Sequence, residues 1–296
     1  MRTLLPFLNP YRKECVLAPL FKLLEAVLEL FVPLIMAAII DNGIQARDTG
    51  YVLRMGLGLV GLGLLGLVSS VTAQFFAAKA AVGFAAKLKS ALFRHIQGLS
   101  YTELDTLGTA TLINRMTTDM NQVQTGVNMF IRLAVRAPFL AIGSIVMAFT
   151  ISAQIGLVFL VSTPLIVLVL YAVMRKTVPM YGGIQAGQDG IARLAGEHLE
   201  GVRVIRAFGR QQAEVQAFDK AGASLAAATV RVGVISAALN PVTSVIVNLA
   251  IVAIVWMGAG LANTGGLEQG QIIALVNYMT QTLLALIVLA NIIVIF

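Results

Sequence analysis

RAPFLAIGSIVMAFTISAQIGLVFLVSTPLIVLVLYAVMR, residues 136–175, decides the fold: 38 uncharged residues lie between Arg136 and Arg175. One membrane-crossing helix needs roughly 20 predominantly apolar residues. The run therefore reads as two spans joined by a tight turn near Ser152-Ala153-Gln154. The rest of the chain repeats the pattern. Cys15–Ile40 is apolar apart from Lys22, Glu25 and Glu29, and Met55–Ala78 has no charge. Val232–Leu267 and Gln269–Phe296 are also uncharged, separated by Glu268 after the turn signal Asn263-Thr264-Gly265-Gly266. Six spans are expected, at about 15–40, 55–78, 133–151, 155–174, 236–258 and 271–296.

Composition agrees. The 296 residues are 58% hydrophobic and 12% charged, and the mean hydropathy is +0.87. Soluble domains carry about 25% charged residues, so the bilayer is the expected solvent. The net charge of +7 does not signal nucleic acid, because the charges gather in the segments flanking apolar runs. Lysine and arginine there set orientation. Four fall in the chain up to Lys22, two in Asp41–Arg54, seven in Lys79–Arg136 and eight in Arg175–Arg231. The turns near Gln154 and Gly265 hold none. The alternation predicts a cytoplasmic N-terminal segment (residues 1–14) and two cytoplasmic arms, at about 79–132 and 175–235, in a multi-pass membrane protein.

Pro6, Pro10, Arg12 and Lys13 interrupt the N-terminus before a long apolar stretch, so no signal peptide is expected. The lone Cys15 allows neither an intrachain disulfide nor a cysteine-based metal site. His95 and His198 sit in separate charged segments and read as surface or helix-packing residues. No metal ligand set and no catalytic constellation assembles.

The arms are the unusual feature. Each is nearly 60 residues long, yet Ala80–Gln97, Thr109–Arg136, Ile184–Arg206 and Gln211–Thr229 are good helix formers. Helices that continue out of the bilayer would form hairpins, and at 1.5 Å per residue about 25 residues reach roughly 30–40 Å.

Three polar features lie in the spans. Lys22, Glu25 and Glu29 share one helical face at i, i+3 and i+7. They read either as part of a cavity for cationic or amphipathic substrates or, for Lys22–Glu25, as a pair that orients the helix. In the last span Asn277, Gln281 and Asn291 fall on one side, lining a pathway or bonding neighbouring helices. Gly56, Gly58, Gly61, Gly63 and Gly66 read as small residues for close helix packing.

The tip segments carry a resemblance. Leu99-Ser100-Tyr101-Thr102-Glu103-Leu104-Asp105, followed by Leu112-Ile113-Asn114-Arg115-Met116-Thr117-Thr118-Asp119, resembles the first intracellular loop of type IV ABC exporters. Glu197-His198-Leu199-Glu200-Gly201-Val202-Arg203-Val204-Ile205-Arg206-Ala207-Phe208 is similar to that family's second-loop signature, E-x-L-x-G-I-R-V-I-K-A-F. Gly270 to Tyr278 resembles the start of its sixth helix. The N-terminal part, from Pro19 through Val32-Pro33-Leu34 to Ile40-Asp41-Asn42-Gly43-Ile44, is similar to bacterial multidrug half-transporters, which often form heterodimers. Departures are Ala110 and Thr111 in the first loop, and Gln211-Gln212 and Ala217 after the second signature.

The resemblance implies an all-α fold: six transmembrane helices extended into long cytoplasmic arms, an ABC exporter transmembrane domain (ABC transmembrane type-1) over residues 15–296. It implies that residues 101–107 and about 207–213 form short coupling helices. Tyr101, Thr102, Glu103, Asp105, Ala207, Phe208, Gly209 and Arg210 would seat on nucleotide-binding domains. Glu25, Glu29, Asn277 and Gln281 would face a substrate cavity. The partners implied are a second half-transporter subunit (homo- or heterodimer), nucleotide-binding domains, membrane lipids and a small-molecule substrate. The sequence has no G-x-x-x-x-G-K-[ST] phosphate loop and no LSGGQ-type motif. ATP and Mg would thus be bound by a nucleotide-binding domain missing from this chain, which reads as truncated or as an incomplete gene product. The expected function is ATP-driven export of a drug-like or amphipathic, lipid-like compound by alternating access. The competing readings are an ion-gradient transporter and a non-functional remnant.

Overall fold

The computed structural model describes residues 5–295; the side chain of Asn291 lies outside the described part. The described residues contain no strand. A 3-10 turn (Leu5–Tyr11) leads into α1 (Arg12–Ala38), which ends in a π-helical turn (Ile39–Ile44). Then follow α2 (Thr49–Gln97), α3 (Tyr101–Leu107), α4 (Thr109–Asn114), a π turn (Arg115–Asp119), α5 (Met120–Leu133) and α6 (Arg136–Ile151). The chain continues as α7 (Ala153–Ala207), α8 (Gln211–Ala237), α9 (Leu239–Asn263) and α10 (Gln269–Ile295). Among the described residues six helices are long and apolar enough to cross a membrane: Pro6–Ile44, Thr49–Gln97, Thr109–Ile151, Ala153–Ala207, Gln211–Asn263 and Gln269–Ala290. The protein is a multi-pass membrane protein with an all-α fold.

Two compact units form. The first comprises the chain up to Thr163 and from Leu249 onward; the second is Pro164–Asn248. In the first unit α1 is central, packed along α2, α6 and α10, while α10 also packs along α6. The α1–α2 seam is built of alanine: Ala18, Ala26, Ala73, Ala77, Ala80 and Ala81 are fully buried. Small side chains let backbones approach where lipid tails remove the hydrophobic drive between helices. Larger groups fill the flanks. Phe21 stacks on Phe76 at 6.3 Å between ring centroids, and Lys87 lies over the Tyr11 ring at 5.6 Å. Tyr278, fully buried on α10, donates its hydroxyl to the Leu30 carbonyl of α1 at 2.5 Å.

α2 is 49 residues, about 75 Å at 1.5 Å per residue. The hydrocarbon core it crosses is roughly 30 Å thick. One continuous helix thus supplies both a span and one side of an arm. The third span stays helical from Thr109 to Ile151, in line with the reading of Thr109–Arg136, but its regular hydrogen-bond ladder does not run unbroken. It is interrupted by the π turn and again at Ala134–Val135. Pro138 explains the second break: it has no N–H for the Ala134 carbonyl, and its ring crowds that oxygen.

The glycine run of α2 also departs from expectation. A Cβ added at Gly56, Gly58, Gly61, Gly63 or Gly66 would meet nothing within 4 Å. The neighbouring Leu57, Leu64, Leu65 and Leu67 are exposed. These glycines do not pack helices within this chain.

At the far end of α1 the packing is close. Asp41, buried in the π turn, accepts a hydrogen bond from the Gly270 N–H at the start of α10 at 2.7 Å. A carboxylate there also complements the positive end of the helix dipole. Glu268 lies close by, and its hydrogen bond and like charge with Asp41 raise the Glu268 pKa above the usual carboxylate value. A Cβ on Gly270 would collide with the Ala37 backbone and the Asp41 carboxylate. Gly270→Ala should therefore destabilise the protein by about 1–3 kcal/mol, the range for overpacking. Gly260→Ala, which faces open space, should be neutral. Thermal unfolding of the solubilised protein compares the two, and equal midpoints would refute the contact.

Candidate functional site

Lys22, Glu25 and Glu29 do share one face of α1, and α6 meets that face with a fourth charge. The Lys22 ammonium binds Glu25 at 2.5 Å and the Ser70 hydroxyl of α2 at 3.1 Å. The Arg136 guanidinium binds Glu29 at 2.7 Å and stands 3.9 Å from Glu25. The helix break before Arg136 places it at the first turn of α6 rather than mid-ladder. Glu29 is the most accessible member, its side chain 37% exposed; the other three are mostly buried. Two cations and two carboxylates leave no net charge. An unpaired charge at the bilayer centre costs about 3 kcal/mol, so mutual neutralisation is the condition for burying all four.

The quartet borders a pocket of about 210 Å³. Glu29, Arg136 and Gln281 form its polar edge, and Leu133, Leu140, Leu284 and Val288 are among its apolar walls. Of the four expected cavity residues, Glu29 and Gln281 line this pocket. Glu25 sits behind it, tied to Lys22. Asn277 is exposed and is not among the lining residues. Arg136 and Ser70 were missed. Arg136 was visible only as the edge of an apolar run, and its partner is 107 positions away. At the polar edge, Arg136 Nε and Gln281 Oε1 are buried without a hydrogen-bond partner. No group of three or more His, Cys, Asp or Glu among the described residues is arranged to hold a metal.

The two tips differ in construction. α3 is a separate seven-residue helix over Tyr101–Leu107. Ser100 and Glu103 close a capping box: the Ser100 N–H and hydroxyl both bond Glu103 Oε2 at 2.8 Å, and Ser100 Oγ accepts from the Glu103 N–H at 3.3 Å. These bonds hold the Glu103 carboxyl below the usual carboxylate range. Glu103 thus caps its own helix, leaving Tyr101, Thr102 and Asp105 exposed beside it, Tyr101 by 88%. The helix ends at Gly108, φ +73°. The turn is therefore made at Gly108, and Ala110 lies within α4.

At the other tip no separate helix forms over 207–213. α7 ends at Ala207 and α8 starts at Gln211. Gly209, φ +65°, closes the helix with Gly209 N–H to the Arg206 carbonyl at 3.3 Å and Arg210 N–H to the Ile205 carbonyl at 3.0 Å. This paired closure satisfies the last carbonyls and reverses the chain in three residues, leaving too little chain for another helix. Ala207, Phe208 and Arg210 are exposed there, and Phe208, 77% exposed, does not pack between the helices of its arm. His198 of α7 meets Glu214 of α8 at 2.7 Å, a helix-packing contact across the turn.

A bundle of long apolar helices, two exposed tips and an interior ion-pair quartet define a membrane transporter domain. Residues 15–286 match the family described as the ABC transporter transmembrane region, and the chain belongs to it. The chain is 31% identical to the uncharacterized ABC transporter ATP-binding protein YfiB of Bacillus subtilis over 296 residues, 100% of this chain and 52% of that protein. It is 31% identical over 280 residues to an uncharacterized ABC transporter ATP-binding protein of Mycobacterium tuberculosis, covering 95% and 48%. It is 22% identical to the ATP-dependent lipid A-core flippase of Salmonella typhimurium over 291 residues, covering 98% and 50%. The chain spans about half the length of the curated relatives it matches.

Two outcomes follow. Arg136→Gln should destabilise the protein by about 1–3 kcal/mol, below the fully buried range because Glu29 is partly solvated. Adding Glu29→Gln should recover part of that loss, read by a double-mutant cycle of unfolding midpoints. At the first tip the capping stabilisation is complete above the unfolded Glu103 value of 4.5 and is lost as pH falls through its lower folded value. Amide exchange over 101–107 should stay constant from pH 7 to 5, after correction for the intrinsic rate, and rise in stronger acid. Glu103→Ala should show the fast exchange already at pH 7.

Proposed function

We propose that this chain is the membrane-spanning part of an ABC exporter subunit. It pairs with a second half-transporter and is driven by nucleotide-binding domains that hold ATP and Mg. The observation that carries this reading is the exposed Phe208 at the end of the arm signature, on a tip closed by Gly209. A large apolar ring held out in water is costly unless a partner covers it, and aromatic anchors of this kind dominate interfaces. Ala207 and Arg210 flank Phe208 at that tip; at the other tip Tyr101, Thr102 and Asp105 form a separate docking surface, which Glu103 serves by holding α3 in shape.

The arms and the N-terminal segment lie in the cytoplasm, and the turn at Ile44–Thr49 lies outside, as the lysine and arginine distribution indicates. Differential binding of ATP to two arrangements of the domains shifts the pocket from one side of the membrane to the other. The pocket beside Glu29 belongs to the path of an amphipathic substrate; the ATP-dependent lipid A-core flippase named above is a relative that acts on a lipid. An ion-gradient mechanism would call for a carboxylate free to exchange protons, whereas Glu25 and Glu29 are each held by a cation.

With the chain joined to a nucleotide-binding domain, Phe208→Ala should leave membrane insertion and nucleotide binding intact. Substrate-stimulated ATPase and transport should fall at least about tenfold, as for loss of an interface anchor. Unchanged stimulation and transport would overturn the coupling role. Single cysteines on a Cys15→Ala background check the orientation: Ser100→Cys should label from the cytoplasm only and Thr49→Cys from outside only.

A further inference from the structure

We propose that the pocket beside the quartet selects a zwitterionic amphiphile, one carrying a protonated amine and an anionic group a few bonds apart on an apolar body. The inference rests on the reading of this pocket as part of the substrate path and adds the charge class of its ligand. The carboxylate that suggests a cation site is already neutralised. Glu29 holds Arg136 at 2.7 Å, and Glu25 is held by Lys22 at 2.5 Å. A ligand with net positive charge must either displace Arg136 or add an unbalanced cation among residues largely withdrawn from water, and both are unfavourable. A net anion meets the same obstacle with Glu29.

A zwitterion meets neither. Its amine pairs with Glu29 while its anion pairs with Arg136, so one ion pair becomes a closed set of four alternating charges with no net change. Two polar atoms behind that edge are also unpaired, though neither is exposed to the pocket. Arg136 Nε is a donor without an acceptor, and Gln281 Oε1 is an acceptor without a donor. Size points the same way. About 210 Å³ is below the roughly 300–1,000 Å³ of pockets that enclose a drug-sized molecule. It suits a head group and the first part of a chain, with Leu133, Leu140, Leu284 and Val288 as the apolar wall.

The test uses four probes with one C8 chain: octylphosphoethanolamine, octylammonium, octyl sulfate and octyl glucoside. Binding to the purified chain in nanodiscs is read by saturation-transfer NMR. Only signal removed by Leu284→Trp, which fills the pocket from a partly exposed position, is counted. The zwitterion should bind at least tenfold more tightly than either ion. Glu29→Gln leaves the pocket with excess positive charge and should turn the preference to octyl sulfate. Arg136→Gln should turn it to octylammonium. The double variant is neutral again, provides a reference should either single variant fail to fold, and should lose the advantage of the zwitterion over octyl glucoside.

Equal binding of all four probes, or a cation preference in the unmodified protein, overturns the charge selection and leaves the substrate-path reading standing. Absence of any signal sensitive to Leu284→Trp overturns both. Nanodiscs of phosphatidylethanolamine and of phosphatidylglycerol separate the sources. A weaker probe signal in the former identifies a lipid head group as the competing occupant, and equal signals identify a smaller, freely diffusing zwitterion.

Discussion

Arg136 reaching across to Glu29 and Glu25 is the contact on which the interior depends. α1 carries three charges into the bilayer, and Lys22 offsets only one of its two carboxylates. Without Arg136 the helix would hold a buried negative charge, costing about 3 kcal/mol at the bilayer centre. The alanine seam, the Tyr278–Leu30 bond and the Asp41–Gly270 contact each fix α1 against a neighbour. None of them could do so if α1 were driven toward the interface by an uncompensated charge. The break at Ala134–Val135 belongs to the same arrangement, because it puts Arg136 at a helix start facing α1.

Much of the architecture was legible because lipid imposes simple rules. A run without charge between Arg136 and Arg175 has few ways to satisfy its backbone except as helices. The turns at Ser152 and at Asn263–Gly266 follow from where such runs must reverse. The positive φ at Gly209 follows the common way in which a glycine ends a helical run. The pocket was less legible. Lys22, Glu25 and Glu29 announced a polar face, but what faces them comes from a residue 107 positions on. Helical periodicity holds no information about which distant helix packs opposite.

The errors share a physical origin. The α2 glycines were read as a packing face, but lipid can cover small residues as well as a helix can, so composition does not say which. The expected helix at 207–213 came from the family resemblance and not from the residues themselves; a three-residue closure around Gly209 leaves no chain for it. Asn277 and Gln281 are one turn apart, yet one is exposed and the other lines the pocket. A stripe drawn at 100° per residue is broader than the contact it is meant to find.

The unlike tips have a mechanical consequence. α3 is a short helix between Gly98 and Gly108, with its own internal cap and a single glycine separating it from α4. On the proposed reading it serves as a swivel: a partner seated on Tyr101 changes the tilt of α3 while the long helices hold theirs. The Phe208 tip has no such freedom, because its turn is locked by two backbone bonds and braced by His198 on Glu214. A load applied there passes into α7 and α8 without slack. On that reading the first tip tolerates rotation and the second transmits thrust.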